Sequence, residues 1–436
     1  MAKRHTARAE DWDSVFRRLE ELVLANSGCD AFEEIFKLII AKLWEERSVP
    51  SAPAVFRPHP PPTGLSSMIG SLLRAAEAEW PGVLGGDTRS ALTEEHLAVC
   101  VDMLSYYRFA EAGFEFMDSM FEMLVSQTAK GSKGQYFTPR HVVELCVRML
   151  KPKRGEFICD PACGSGAFLI HSLRKATSDC EAANSDNLSP QAEAIWGFDF
   201  DPRAVRVAKS LMILAGYGGS NIYRVNSLLT PDTGLDLFRL RDSTPVLTIE
   251  DVMRSRAKHF RGFDVILTNP PFAGEIQESH ILQAYSSVIA KRRTERDALF
   301  LERCIQLLRP GGRMAIVLPH NKLGSESWTH LRKWVVQHLR IIAVVGLGRN
   351  TFLPHTHQKA DILIGVKRSK PASDFQDEKI FFAVSERDGK NSRGQFLQTN
   401  TGTKSLQLWD RVDHDLGDIE NAFSQHCRSD DLNWGF

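Results

Sequence analysis

Several absences narrow the reading of this chain before any motif is considered. Its eight cysteines are scattered and include no Cys-x-x-Cys pair. No secretory apolar region follows the N-terminus, so these cysteines read as reduced thiols in a cytoplasm. No convincing group of metal ligands is present, and none is expected to be needed. No apolar run approaches the ~18 residues of a membrane span, and no internal repeat is visible. Charge is balanced, with 54 Lys and Arg against 54 Asp and Glu. That excludes a protein that coats nucleic acid by overall charge, although a local basic groove remains compatible. What is there is ordinary for a soluble globular protein: 43% hydrophobic and 25% charged residues over 436 positions, room for two or three domains.

The most informative stretch is Phe263 to Phe272, FDVILTNPPF. Val265-Ile266-Leu267 has the β-branched, apolar character of a buried strand. The strand stops at Asn269-Pro270-Pro271-Phe272, because consecutive prolines cannot donate to a sheet ladder. In open α/β sheets, ligands bind beyond the carboxyl ends of the strands. An Asn side-chain oxygen and the Pro270 carbonyl are two acceptors suited to an exocyclic amine, and Phe272 could stack on a planar ring. A Pro-Pro turn with Phe272 as a core plug is the alternative that these residues leave open.

Upstream, apolar spacing predicts helices over about 11–46, broken at Asn26-Ser27-Gly28, and again over 65–78, 93–109 and 112–127. A proline-rich connector separates them at 48–64. Residues 1–130 are thus an all-helical N-terminal domain. Gly131 to Arg140 then reads GSKGQYFTPR, a bendable segment in which Thr138 could cap the following helix with Pro139 at its first position. A ligand-closing loop that includes Phe137, Thr138 and Pro139 is the functional reading. A well-capped helix start is the plainer one.

Phe157 to Phe168 reads FICDPACGSGAF, a strand ending in an acid, then a glycine loop, then a helix. A dinucleotide loop would carry a third glycine; here Phe168 and Leu169 follow instead. Asp160 beside the loop would repel phosphate and suit a cation such as an amino-acid ammonium beside a sulfonium. Farther on, Ala194 to Pro202 again ends a strand in acids. Asp199 is the candidate for a ribose diol, with Asp201 second. Asn226 ends a third strand candidate over 222–228. Residues 230–261 read as an insertion, and 273–296 as mobile-looking with a basic cluster at Lys291-Arg292-Arg293, a solvated helix face as its plainer reading. Strands follow at 313–319, 340–346 and 360–366. Strand–helix alternation over about 155–366 predicts a mostly parallel, doubly wound α/β sheet. Residues 369–436 form a C-terminal extension or partner-docking tail.

Taken together, GQYFTPR, DPACGSGAF, GFDFDP and NPPF, in that order, resemble the N6-adenine DNA methyltransferases, in particular the modification subunit of type I restriction–modification systems. The resemblance covers roughly residues 10–366. It implies a Rossmann-like S-adenosylmethionine-dependent methyltransferase domain over 131–368, preceded by the helical domain. It implies cofactor binding by Phe137, Thr138, Pro139, Asp160, Pro161, Ala162, Gly164, Ser165, Gly166, Asp199 and Asn226. It further implies catalysis by Asn269, Pro270, Pro271 and Phe272 on an adenine extruded from double-stranded DNA, with Phe352 as a second contact to the base. The family usually has an acid where Asn226 stands, which bears on cofactor affinity. A separate DNA-specificity subunit and a restriction or defence subunit are the implied partners. Two other readings share these motifs. One is methylation of RNA or of a protein glutamine, where a tyrosine commonly replaces Phe272. The other is a catalytically silent, cofactor-binding assembly subunit.

Overall fold

The computed structural model describes residues 9–24, 29–48, 55–61, 63–109, 120, 138–178, 193–215, 221–231, 247–288, 293–375, 377–399 and 408–429. The expected helix at 112–127 (except Met120), Phe137, Lys291 and Arg292 lie outside the described residues. The chain divides into two compact units, one of residues 1–131 and 206–219, the other of 132–205 and 220–436.

The first unit is helical, with helices at Ala9–Leu24, Ala31–Ser48, Leu65–Glu79 and Glu94–Ser105. The apolar stripe of Phe32, Ile35, Phe36, Ile39, Ile40 and Leu43 is buried, but so are Glu34, Lys37, Lys42, Glu45 and Glu46. A helix enclosed on most sides must pair its charges, because an isolated buried ion costs several kcal/mol. Lys37 meets Glu34 at 3.0 Å and Asp87 at 2.6 Å, and Lys42 meets Glu46 at 2.7 Å. Glu45 instead accepts from the amides of Val55 and Phe56, at 2.7 and 2.9 Å, which fastens the proline-rich connector to the helix.

The second unit is built on a sheet of eight strands: β1 (Ile158–Asp160), β2 (Ile195–Asp199), β3 (Asn221–Arg224), β4 (Phe263–Thr268), β7 (Leu308–Pro319), β8 (Leu339–Gly346), β9 (Ala360–Lys367) and β10 (Phe381–Val384). Two short strands, β5 (Glu275–Ile276) and β6 (Thr294–Glu295), form a separate ladder. The order in the large sheet is β10-β8-β9-β7-β4-β1-β2-β3. All pairings are parallel except those of β9, which runs against both β7 and β8. From β1 the chain moves outward through β2 and β3, then returns to β4 on the other side of β1. The direction of winding therefore reverses between β1 and β4, where a ligand crevice forms in such sheets. Phe198, Phe263, Ile266, Met314, Ile316 and Leu318 belong to one buried core.

Several elements differ from expectation. A helix at Ile249–Arg256 lies within the predicted insertion, begun by a capping box in which Thr248 Oγ1 accepts from the Asp251 amide and Asp251 from the Thr248 amide, both at 3.1 Å. The end of the helix Arg140–Leu150 is capped from outside: Arg313 donates to the carbonyls of Leu150 and Lys151 while forking onto Glu156. Past residue 369, β10 pairs with β8 and a helix at Leu416–Ser429 packs on Arg140–Leu150. Among the described residues no helix is long and apolar enough to cross a membrane.

Candidate active site

The acid ending β1 and the residue ending β4 meet at the reversal. β1 lies parallel to β4 with Cys159 opposite Ile266. Asp160 is buried, and its Oδ1 accepts from the Thr268 hydroxyl at 2.7 Å and the Ala162 amide at 3.0 Å. The following loop turns through Gly164 (φ +51°) and Gly166 (φ +85°), left-handed conformations that favour glycine. Open space lies where a Gly164 Cβ would project. Three bonds hold the loop in place. The Cys163 amide donates to the Phe198 carbonyl at 3.0 Å, the Gly164 amide to Asp199 Oδ2 at 2.9 Å, and Ser227 Oγ to the Pro161 carbonyl at 2.6 Å. Ser165, between the two glycines, is buried. Asp199 Oδ1 also accepts from the Asp201 amide at 2.9 Å.

Burial pushes Asp160 up to about 7, against the pull of its bonds from Thr268 and Ala162, and the charge of Asp199 adds to the rise. Burial likewise raises Asp199 to about 6, opposed by the amides of Asp201 and Gly164. Two acids at neighbouring strand ends are thus held at a cost to their charged forms, and a cation beside them would relieve both. Phe200, next to Asp199, is 68% exposed, with the Arg224 guanidinium 5.9 Å from its ring centre. Acids for an ammonium and a diol, an open glycine turn and an exposed ring suit a nucleoside with a cationic amino-acid tail.

Asn269-Pro270-Pro271-Phe272 leaves the end of β4. Phe272 is buried and meets the ring of Phe352 edge-on, centroids 5.6 Å apart at 67°. Beyond it Gly274 (φ +99°) lies under the guanidinium of Arg296, its carbonyl accepts from the Arg296 amide at 3.0 Å, and the β5–β6 ladder closes the excursion. Phe352 sits in the loop joining β8 to β9, whose base is tied by the Leu347 amide donating to the Ala360 carbonyl.

The structure corrects one detail at the head of helix Arg140–Leu150. Pro139, not Thr138, is the capping residue, and the cap makes no side-chain bond; Thr138 is buried. Asn226 stands two residues beyond β3, and its Oδ1 accepts from the Leu228 amide at 3.2 Å. Sequence reasoning did not select Thr268, Ser227, Phe200 or Arg303. Arg303 is fully buried, donates to the carbonyls of Ser227 (2.8 Å) and Leu229 (3.1 Å), and forks onto Glu250 at 2.7 Å. Tyr285 donates to the Leu228 carbonyl between them at 2.8 Å. The signal for Arg303 was a cation four residues from both Leu299 and Leu307 on the apolar stripe of its helix. Among the described residues no group of three or more His, Cys, Asp or Glu could hold a metal.

The strand order and the inverted β9 define a Rossmann-like sheet, a fold shared, at a TM-score of 0.56 and 12% identity, with a structure from Listeria monocytogenes described as a putative class I S-adenosylmethionine-dependent methyltransferase. The chain belongs to the N-6 DNA methylase family, whose model matches residues 114–433. It is similar to the EcoEI methylase subunit of a type I restriction enzyme from Escherichia coli, 29% identical over 254 residues, or 58% of this chain and 46% of the relative. The EcoKI methylase subunit from Escherichia coli K12 is 26% identical over 232 residues, 51% of this chain and 39% of the relative. The chain thus spans less than half the length of either. The crystal structure of the type I restriction-modification system methyltransferase subunit from Streptococcus thermophilus shares the fold. Its TM-score is 0.60 at 15% identity, covering 98% of each chain.

Proposed function

We propose that this chain transfers the methyl group of S-adenosylmethionine to N6 of adenine in double-stranded DNA, in the cytoplasm, as one subunit beside a separate DNA-specificity subunit and a restriction or defence subunit. The observation that carries the reading is the meeting of β1 and β4. Asp160 and the glycine turn that suit the cofactor lie at the end of β1, beside the strand that delivers Asn269-Pro270-Pro271-Phe272, and Asp199 ends the next strand, β2. The relatives named as methylase subunits of type I enzymes support the substrate and the partner. In this reading the helical residues 1–130 dock the partner and residues 131–368 carry catalysis.

The cofactor supplies an electrophilic methyl on a sulfonium. Asp160 would hold its ammonium, Asp199 its ribose, and Phe200 and Asn226 its adenine, with Thr138 and Pro139 closing over the site. The target adenine leaves the duplex at a cost of a few kcal/mol and rests against Phe272, backed by Phe352. Asn269 Oδ1 and the Pro270 carbonyl would each accept one hydrogen of the amine, leaving its lone pair free to take the methyl. No covalent enzyme intermediate forms, and the proton is lost late, so positioning supplies most of the rate. The segment Gly348 to Lys359, which carries Phe352, also holds Arg349, His355, His357 and Lys359 and no Asp or Glu. Arg349, His355 and His357 are exposed, as groups that contact DNA phosphates must be.

Single-molecule sequencing of genomic DNA from cells with the wild-type gene and with Asn269→Ala tests this. N6-methyladenine at one motif should vanish in the variant. An identical pattern of adenine marks in both would overturn the reading.

A further inference from the structure

Past the end of β10 lies a segment of which residues 385–399 and 408–414 are described, and it contacts both the loop that carries Phe352 and the helix Arg140–Leu150. Its first half, residues 385–399, follows the loop that carries Phe352. The Ser385 amide donates to the Gly346 carbonyl at 2.8 Å, and Asp388 Oδ2 accepts from the Asn350 amide at 2.8 Å. Lys390 Nζ, almost fully buried, donates to the Leu353 carbonyl at 2.8 Å, one residue past Phe352. Gly394 (φ +79°) packs so closely on Pro354 that a Cβ would stand 2.6 Å from the Pro354 nitrogen. Isolated bridges Asp388–His414, Lys390–Phe396 and Gln398–Val412 fold the segment on itself. Its other side grips the helix that begins just after Thr138 and Pro139. His414 stacks on the buried His141 at 5.4 Å, Phe396 meets His141 edge-on at 6.1 Å, and Trp409 lies under the Arg148 guanidinium at 4.5 Å.

We infer that residues 385–399 and 408–414 form a brace that sets Phe352 against Phe272 and ties that loop to the helix Arg140–Leu150, with Lys390 as its positioning residue. Burying an ammonium is costly unless it is hydrogen-bonded, so the Lys390–Leu353 bond holds the backbone beside Phe352 more firmly than a surface contact would. Phe352 needs such support because it lies on a loop, and a site built on loops must be held from outside to keep its geometry. The role in base binding rests on the function proposed above; the mechanical role does not.

Hydrogen exchange on the full-length chain, comparing wild type, Lys390→Met, Lys390→Arg and Gly394→Ala, separates the two. Lys390→Met and Gly394→Ala should speed exchange of amides in 348–356 by about tenfold or more, with β1 and β4 unchanged, and Lys390→Arg should retain protection. In the complex with its specificity partner, Lys390→Met should lower kcat/KM for DNA by about tenfold while S-adenosylmethionine binds as in wild type. Unchanged exchange in 348–356 in both disruptive variants, or an equal rise in β1 and β4, overturns the brace. Absence of DNA methylation by wild type would overturn the proposed function and leave the exchange result to decide the brace.

Discussion

Thr268 donates its hydroxyl to Asp160 Oδ1 at 2.7 Å, joining the last residue of β4 to the last residue of β1 across 108 positions of sequence. The bond sits inside the sheet core and binds the strand that delivers the Asn-Pro-Pro-Phe turn to the acid that opens the glycine loop. It also holds the Asp160 carboxyl down against the upward pull of burial.

Replacing Thr268 with Val keeps the shape of the side chain and removes the donor. A buried acceptor that loses a partner costs about 1–3 kcal/mol, here borne by the ionised form, so Asp160 should titrate at higher pH. Calorimetric titration with S-adenosylmethionine should show weaker binding than wild type at pH 7 and partial recovery at pH 8.5. Equal loss at both pH values would count against an effect through Asp160.

Asp160 also sets a stability dependence whose sign is unusual for a carboxylate. Its pKa is raised in the folded chain to about 7 from 3.8, so between those values the native state holds a proton that the unfolded state releases. Its contribution to stability is therefore full below pH 4 and is lost as pH rises through about 7. Asp160→Asn should stabilise the cofactor-free protein at pH 8, by on the order of a few kcal/mol, with no gain near pH 4. The same variant should bind S-adenosylmethionine poorly. Thermal unfolding across this range, with and without cofactor, gives both numbers.

Arg303 supports the loop after β3 from within the core. Arg303→Met would strand Glu250 and two carbonyls, a loss of about 3–5 kcal/mol by analogy with broken buried pairs. Arg303→Lys should recover little, since a single ammonium cannot reproduce a fork that serves Glu250, Ser227 and Leu229 together. Urea denaturation midpoints of the three proteins, at constant slope, measure this.

The motif-bearing elements were the legible ones. Val265-Ile266-Leu267 is apolar on both faces because β4 is central, and the prolines after it end the strand at Thr268 as their missing amides require. Asp160 and Asp199 do end their strands. Weakly periodic segments were harder. The helix Ile249–Arg256 was missed although Thr248 and Asp251 show its capping box, because eight residues offer little periodicity. β10 was missed because its exposed Phe382 and Val384 lie on an edge strand that needs no buried run.

The sequence by itself determined which residues end strands, which loop is rich in glycine, and where an amide, two prolines and an aromatic ring follow one another. Those properties are local, decided by dihedral preference and by the period of apolar residues. Only the tertiary structure decided that β4 returns beside β1, that β9 is inverted, that Phe352 meets Phe272, and that Arg303 and Lys390 end on carbonyls far away in the chain. Strand neighbours and buried hydrogen-bond partners are set by the packing of the whole sheet, and no spacing along the chain encodes them.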